Sequence, residues 1–555
     1  MQLQPQLLNL NNLLNGRLFR IPEYQRAYSW EKKQRDDLFG DIERAKASDE
    51  DHFMATVVGL TRGKKQIIAD QFTVIEIVDG QQRLTTLVIL IKAIQRALNE
   101  NDKTEKKLSE ELSELLVKGD DLNLLLLQTN HDSSHLFSDY IRDGTIPVTD
   151  APTSADQNIT DAIRESEAFV VRWTESDKSL IDLIGIIRNR LWVIFHSVED
   201  EGLVYRVFEV LNSRGLDVSW IDKLKSQLMG LAFETGETAG RREAIKELHL
   251  IWQDIYRTIG KQKYLTTETV RFAGTLKAEK APSRPLSEAA SVRRLVECAG
   301  TESKKIVDCA KWLQSVVKAE DRLLSNHRWR AVTQILQARL VAIAVLLRGF
   351  KPADEKEILG RWERVSFRIY GLSGMDARTK VGDYTRLAWS IINDKLSGAD
   401  ILNHLSKIGK DYSISTVIDE FDCSNCYEGW TEQLRYLLYR YDEHLAAKAG
   451  EKLNEHQWNK IWAYEPAKSV EHIKPQSSGV SYMHHLGNLM MLPPGINSKL
   501  KDKDPVDKAD TYRTCGLLDS IAVASQIKKR KKWGKEEVEK RADEIMEWAR
   551  SQWKD

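Results

Sequence analysis

The chain is poor in cysteine. Its 555 residues hold five, Cys298, Cys309, Cys423, Cys426 and Cys515. So few cysteines make no disulfide framework, and a reducing cytoplasm is the expected compartment. Cys423-x-x-Cys426 has the spacing of half a zinc site, but no second pair follows it. Long apolar runs are missing too. Stretches such as Leu87 to Ile91 and Leu340 to Leu347 fall far below the ~18 residues of a membrane span. No basic segment with an apolar core and a cleavage site opens the chain, so neither secretion nor membrane insertion is expected. Net charge is absent: 82 basic residues balance 82 acidic ones, which argues against a protein that coats DNA by bulk charge. Local basic patches remain open, and Lys528-Lys529-Arg530-Lys531-Lys532-Trp533 is one, either a solvated face or a phosphate contact.

What is present is ordinary globular composition, 42% hydrophobic and 30% charged. Length predicts roughly three to four domains. Residues 53–60 and 72–80 read as paired strands joined through Arg62-Gly63-Lys64-Lys65. A helix follows from Arg83 to about Asn99, with Leu84, Leu87, Val88, Ile91, Ile94 and Leu98 on one face. Residues 102–128 read as one or two amphipathic helices, 191–195 as a strand and 203–211 as a helix. From 231 to 429 the pattern is helical and poor in glycine and proline, a bundle and not a linker. Val538, Ile545 and Trp548 give the last helix an apolar face, which predicts that it packs on the C-terminal domain.

The richest stretch is 469–501. Val470 to Ile473 reads as a short strand ending on Glu471-His472, stopped by Pro475, which cannot donate to a ladder. Leu486 to Leu492 is a second strand, and Pro493-Pro494-Gly495 turns the chain into a segment opening at Ile496-Asn497. Strand, turn, strand, helix is the order of a ββα nuclease motif. Phosphodiester cleavage needs a base for water and a divalent ion for the developing charge. His472 suits the base, Glu471 and Asn497 are hard oxygen ligands for Mg²⁺ or Mn²⁺, and Asn488 is expected to fix the imidazole tautomer. A Glu-His pair before a polar turn also arises by chance.

A second constellation lies near the N-terminus. Val78-Asp79-Gly80-Gln81-Gln82-Arg83 sits where a strand ends and a helix begins. Gly80 permits a tight turn, and the free N–H groups of the helix start with Arg83 beside them make a phosphate cradle. Asp79 is placed to hold a metal or polarise water. Such a turn is equally a common structural device. Ile21 to Trp30 gathers Tyr24, Gln25, Arg26, Tyr28 and Trp30, whose rings are either core aromatics or ligand contacts. Val207 to Gly215 ends a helix on Asn212-x-Arg214, followed by Asp222-Lys223-Leu224-Lys225.

Glu471-His472-Ile-x-Pro475, then Gly-Asn488-Leu, then Asn497-Ser-Lys, with Leu434 to Tyr439 upstream, resembles the HNH-type C-terminal domain of the GmrSD family of type IV restriction enzymes. The likeness spans roughly 430–555. It departs at Glu471, where many HNH sites have Asp, and at Asn497, where many have His; both remain oxygen donors, so Mg²⁺ or Mn²⁺ is expected and zinc is not. Residues 8–230 resemble the ParB-like DGQQR domain of the same family and of SspE phosphorothioate sensors. The resemblance implies a mostly helical α+β chain: a nucleotide-binding sensor domain over 1–230, a helical connecting region over 231–429, and a ββα-metal HNH-like nuclease domain over 430–555. It implies further that Asp79, Gly80, Gln81, Gln82 and Arg83 handle NTP phosphates and the metal or water. Tyr24, Gln25 and Arg26 would line the same cleft, and Asn212 and Arg214 would close it. The expected protein is a cytoplasmic phage-defence nuclease acting on modified phage DNA, gated by nucleotide, with homo-oligomer formation open. Two rivals are a sensor whose HNH-like domain does not cleave, and a nickase blind to modification.

Overall fold

The computed structural model describes residues 5–22, 24–118, 124–129, 134–147, 153–176, 178–204, 207, 219–234, 238–260 and 265–554. It is mostly helical with a small mixed sheet. Contacts divide it into two units, Met1–Lys277 with Ser287–Asp321, and Ala278–Leu286 with Arg322–Asp555. The boundary falls inside the span expected as a connecting region, whose helices the two units share. Among the described residues no helix is long and apolar enough to cross a membrane.

The first unit is built on a six-stranded sheet. Its strands are β1 (Gln6–Asn9), β2 (Arg17–Ile21), β3 (His52–Ile67), β4 (Asp70–Asp79), β7 (Leu127–Thr129) and β8 (Leu191–Val198), in the order β1-β8-β3-β4-β2-β7. A separate pair joins β5 (Val117–Lys118) to β6 (Leu124–Leu125). Helix α1 (Gln81–Ala97) is buried on nearly every side, Leu84 through Ile94 included, because it packs between the sheet and α2 (Ser154–Glu175). Val57, Ile75, Ile77 and Phe195 meet its apolar face in one core. The expected strands and helix are there, but the join differs. Arg62 to Lys65 do not form the turn; they continue β3 past a bulge at Gly63 (φ 126), and the chain reverses at Ile68 (φ 53). The bulge takes up one residue while the ladder to β4 continues, so a polar run stays in a strand. Residues 102–128 are corrected too. The helix stops at Leu116, and the leucine run beyond it supplies β6 and β7, with Leu127 opposite Phe19 of β2. Tertiary pairing overrides the helix preference of leucine there. Of the helix expected over 203–211, residues 205, 206 and 208–211 lie outside the described residues.

Two later helices of this unit bear on its site, α3 (Trp220–Glu234) and α4 (Thr238–Ile259). The second unit is helical through α5 (Thr431–Ala449) and then forms a hairpin of β9 (Val470–His472) and β10 (Leu489–Met491). The strands run antiparallel, with Leu489 opposite His472 and Met490 opposite Glu471. The second strand begins three residues later than expected, because Leu486–Asn488 is a 3₁₀ turn. Helices α6 (Pro494–Leu500) and α7 (Pro505–Thr514) follow, and α8 (Lys535–Gln552) comes last. Three-residue strands do not stand alone. Arg541 of α8 holds them, its Nη1 donating to the carbonyls of Gly487 (3.1 Å) and Leu489 (2.9 Å) and its Nη2 to Asp519 (2.7 Å). Val538, Ile545 and Trp548 are buried, as the apolar face of that helix predicts.

Candidate functional site

Alternation along β9 sends neighbouring side chains to opposite faces. Glu471 therefore faces α7, where its Oε1 accepts from Lys508 Nζ at 2.7 Å and Tyr512 Oη at 2.6 Å. Lys508 also donates to the carbonyl of His472 at 2.8 Å. His472 faces the loop that follows. Its Nε2 lies 3.1 Å from Nδ1 of His484, and Gln476 Nε2 lies 3.1 Å from its Nδ1. Tyr427 meets the His472 ring edge-on at 4.7 Å and stacks on His484 at 5.0 Å. Burial, then the neighbouring His484 and Lys508, holds His472 down to about 4. At neutral pH the ring is uncharged and can accept a proton.

Asn488 does not contact the imidazole. Its Oδ1 accepts from Lys474 N at 2.8 Å, and its Nδ2 donates to the carbonyls of Lys474 (3.0 Å) and Met483 (2.8 Å). It latches the loop between the strands, and the expected tautomer role falls to Gln476 and His484. Asn497 Nδ2 donates to the carbonyls of Lys468 (3.1 Å) and Val470 (3.0 Å), which turns its Oδ1 away from the protein bonds described. As metal ligands the two expected residues differ. Asn497 presents a fixed, open oxygen, whereas Glu471 has one oxygen committed to Lys508 and Tyr512 and faces away from His472. Among the described residues no group of three or more His, Cys, Asp or Glu side chains could hold a metal ion. Among the described residues Cys423 and Cys426 are not part of any group of three or more ligating side chains that could hold a metal ion. Their backbone ties the loop instead, with Cys426 N donating to His484 O and Leu486 N to Cys423 O, both at 2.9 Å. The basic run is mostly spent within its own unit. Arg530 pairs with Glu536 and Glu537, Lys532 with Glu536, and Lys528 with Asp510.

Residues the sequence reading missed are His484, Gln476, Tyr427, Lys508 and Tyr512. Only the last two left a trace: they are four apart and so share one face of α7.

In the first unit, residues 24–29 form a strap across the start of α1. Gly80 (φ 91) caps that helix in the left-handed region, and its N–H donates to Asp79 Oδ1 at 2.8 Å. A Cβ there would lie 3.0 Å from Val57 Cγ2. Gln25 Nε2 donates to Val78 O (3.3 Å), Gln81 Nε2 to Arg26 O (3.3 Å) and Gln82 Nε2 to Ala27 O (3.2 Å). Ser29 N donates back to Gln82 Oε1 at 2.8 Å. The three glutamines thus hold the strap, and the phosphate role expected of Gln81 and Gln82 is not how their side chains are used here. The cavity beneath, about 20 Å³, has room for a water. Tyr28 is a core aromatic bonded to Thr86 (2.8 Å), and Tyr24 is buried against His249, ring centroids 4.2 Å apart. Arg83 lies over Trp30 at 5.7 Å. Burial pushes the Asp79 carboxyl up, opposed by the Gly80 N–H and by Arg83 and Arg26. The structure therefore brings Tyr24, Gln25, Arg26 and Asp79 through Arg83 together. Asn212 and Arg214 lie outside the described residues.

Residues 8–229 match the N-terminal domain of the GmrSD restriction endonuclease, and residues 411–548 the C-terminal domain of GmrSD restriction endonucleases. No curated protein matches the chain. Together the two matches span well over half of it, one on each unit's candidate site, and the chain belongs to the GmrSD restriction endonuclease family.

Proposed function

We propose that the protein is a cytoplasmic, modification-dependent (type IV) endonuclease or nickase of phage defence, with NTP binding and hydrolysis in its first unit and HNH-type cleavage in its second. The observation that carries the reading is the neutral, buried imidazole of His472 at the end of a ββα hairpin. His472 takes the proton from the attacking water and hands it on through His484, while Gln476 and Tyr427 keep its ring in place. Asn497 Oδ1, and the Glu471 oxygen that Lys508 leaves open, are the donors for Mg²⁺ or Mn²⁺. That ion, when bound, stabilises charge on the scissile phosphate. Asp79, Arg83 and Arg26 supply the charges for nucleotide phosphates. Foreign modification on the DNA biases the closed-to-active equilibrium, since only differential affinity can shift it.

The test incubates purified protein with Mg²⁺ or Mn²⁺ and each NTP on phage DNAs of different base chemistry. Cleavage confined to modified DNA is expected, and loss of cleavage with a chelator. A second reading, a nucleotide-binding sensor of modified DNA whose HNH-like domain does not cleave, is favoured by the engagement of Glu471 with Lys508. It predicts binding to modified DNA without cutting under any metal.

A further inference from the structure

Asp222 and Lys225 stand three residues apart on α3, so they share one face of the helix. That face meets the strap. Asp222 is itself fixed, its Oδ1 accepting from Tyr256 Oη of α4 at 2.5 Å and its Oδ2 from Ser219 Oγ at 2.6 Å. From there it reaches Arg26, with Oδ2 3.6 Å from the guanidinium Nε. Lys225, buried, donates to the carbonyl of Tyr24 at 2.9 Å between the rings of Tyr24 and Tyr256. The backbone around Arg26 is therefore gripped from both sides, by Gln81 and Gln82 of the helix start together with the bond of Gln25 to Val78, and by Lys225 of α3. Its guanidinium is treated differently. It has one loose ion pair and no hydrogen bond among those described, so its donor edge is left for something anionic. Asp79 lies within charge range of both Asp222 and Arg26.

We propose that Asp222 and Lys225 are positioning residues of the nucleotide site: Asp222, clamped by Tyr256 and Ser219, aims Arg26 at the Asp79–Arg83 cradle, and Lys225 fixes the strap that carries it. The inference rests on the nucleotide reading above. A loose counter-charge suits this task, because it orients the guanidinium without spending the paired N–H groups that grip phosphate.

Steady-state NTP hydrolysis with Mg²⁺ on the full chain tests it, comparing wild type, Asp222→Asn, Arg26→Gln and the double variant. Asp222→Asn should raise KM about five-fold or more with kcat within about two-fold, the pattern of lost binding and not lost chemistry. The double variant should be no worse than Arg26→Gln alone, since Asp222 then has nothing to aim. Lys225→Met should raise KM in the same way. Tyr256→Phe, which keeps the ring and removes one bond to Asp222, gives a milder version should Asp222→Asn melt early. An unchanged KM, or losses that multiply in the double variant, overturns the inference and leaves the nucleotide reading standing. Wild-type protein that neither binds nor turns over any NTP overturns both.

Discussion

At the scale of single residues, His472 carries the strongest expectations. His472→Ala should lower DNA cleavage by about 10²–10⁴-fold, the usual cost of losing a general base, with NTP turnover unchanged; near-normal cutting would remove the residue from the mechanism. Because its ring stays neutral down to about pH 4, cleavage should hold from pH 8 to 5 and fall only below that. The same displacement has a stability consequence. Unfolded His472 binds a proton near its usual pKa, about 6.5, whereas the folded one waits until about 4. Between those values the unfolded state holds the extra proton, so stability falls as pH falls, and His249, also held near 4 by burial, adds to it. Melting curves at pH 7 and 5 should show the drop, smaller in His472→Gln. Lys508 is the other sensitive position. Lys508→Met strands the buried Glu471 carboxylate and should cost about 3–5 kcal/mol, whereas Glu471→Leu with Lys508→Met should melt close to wild type. Cleavage by that stable double variant then reports directly on whether Glu471 serves the reaction.

At the scale of elements, what the sequence revealed and what it hid follow one physical division. Period and punctuation are local, and they were legible: the β-like runs at 53–60 and 72–80 marked β3 and β4, the three-to-four spacing of Leu84 through Ile94 marked α1, and Pro475 marked the end of β9. Partners are not local. The turn at Ile68 was hidden because a bulge let Arg62 to Lys65 remain in the ladder, and β7 was hidden because its leucines find their strand partner in Phe19. At the β9–β10 hairpin the spacing located His472, Asn488 and Asn497 without telling which way each points. Asn488 looked like a ring contact and is a loop latch. Its contribution is thus testable apart from chemistry. Asn488→Ala should reduce cleavage and loosen the loop, seen as faster amide exchange over 474–484, even where His472 is intact. Gly487 has no such latitude, since a Cβ there would lie 1.8 Å from the Val538 carbonyl of α8. Gly487→Ala should push α8 off the hairpin and cost at least the ~1–3 kcal/mol of ordinary overpacking, read as an early melting step of the second unit.

For the whole molecule the question is whether the two proposed chemistries are linked. If nucleotide and DNA sites are coupled, modified DNA should change NTP hydrolysis, and Asp79→Ala or Arg83→Ala should change cleavage although both residues lie in the first unit. Reciprocity is owed by the binding free energies and not by the rates. Hydrolysis measured with modified, unmodified and no DNA decides it; identical rates, with cleavage indifferent to nucleotide, would mean two independent activities.

The dependence of the hairpin on α8 has a bearing on when the enzyme becomes dangerous to its own cell. Translation releases β9 and β10 before Arg541 exists, and until that guanidinium caps the carbonyls of Gly487 and Leu489 the two short strands have only the bonds from Asn497, Lys508 and Tyr512 to hold them. A ribosome stalled short of residue 535 would carry His472 on a scaffold that still lacks α8. The order of synthesis would then act as a safety catch, keeping the nuclease unarmed until the first unit ahead of it has had time to fold. Stalled nascent chains ending at residue 530 should leave DNA uncut while chains extended past α8 cut it; equal cutting by both would show that the hairpin closes without its last helix.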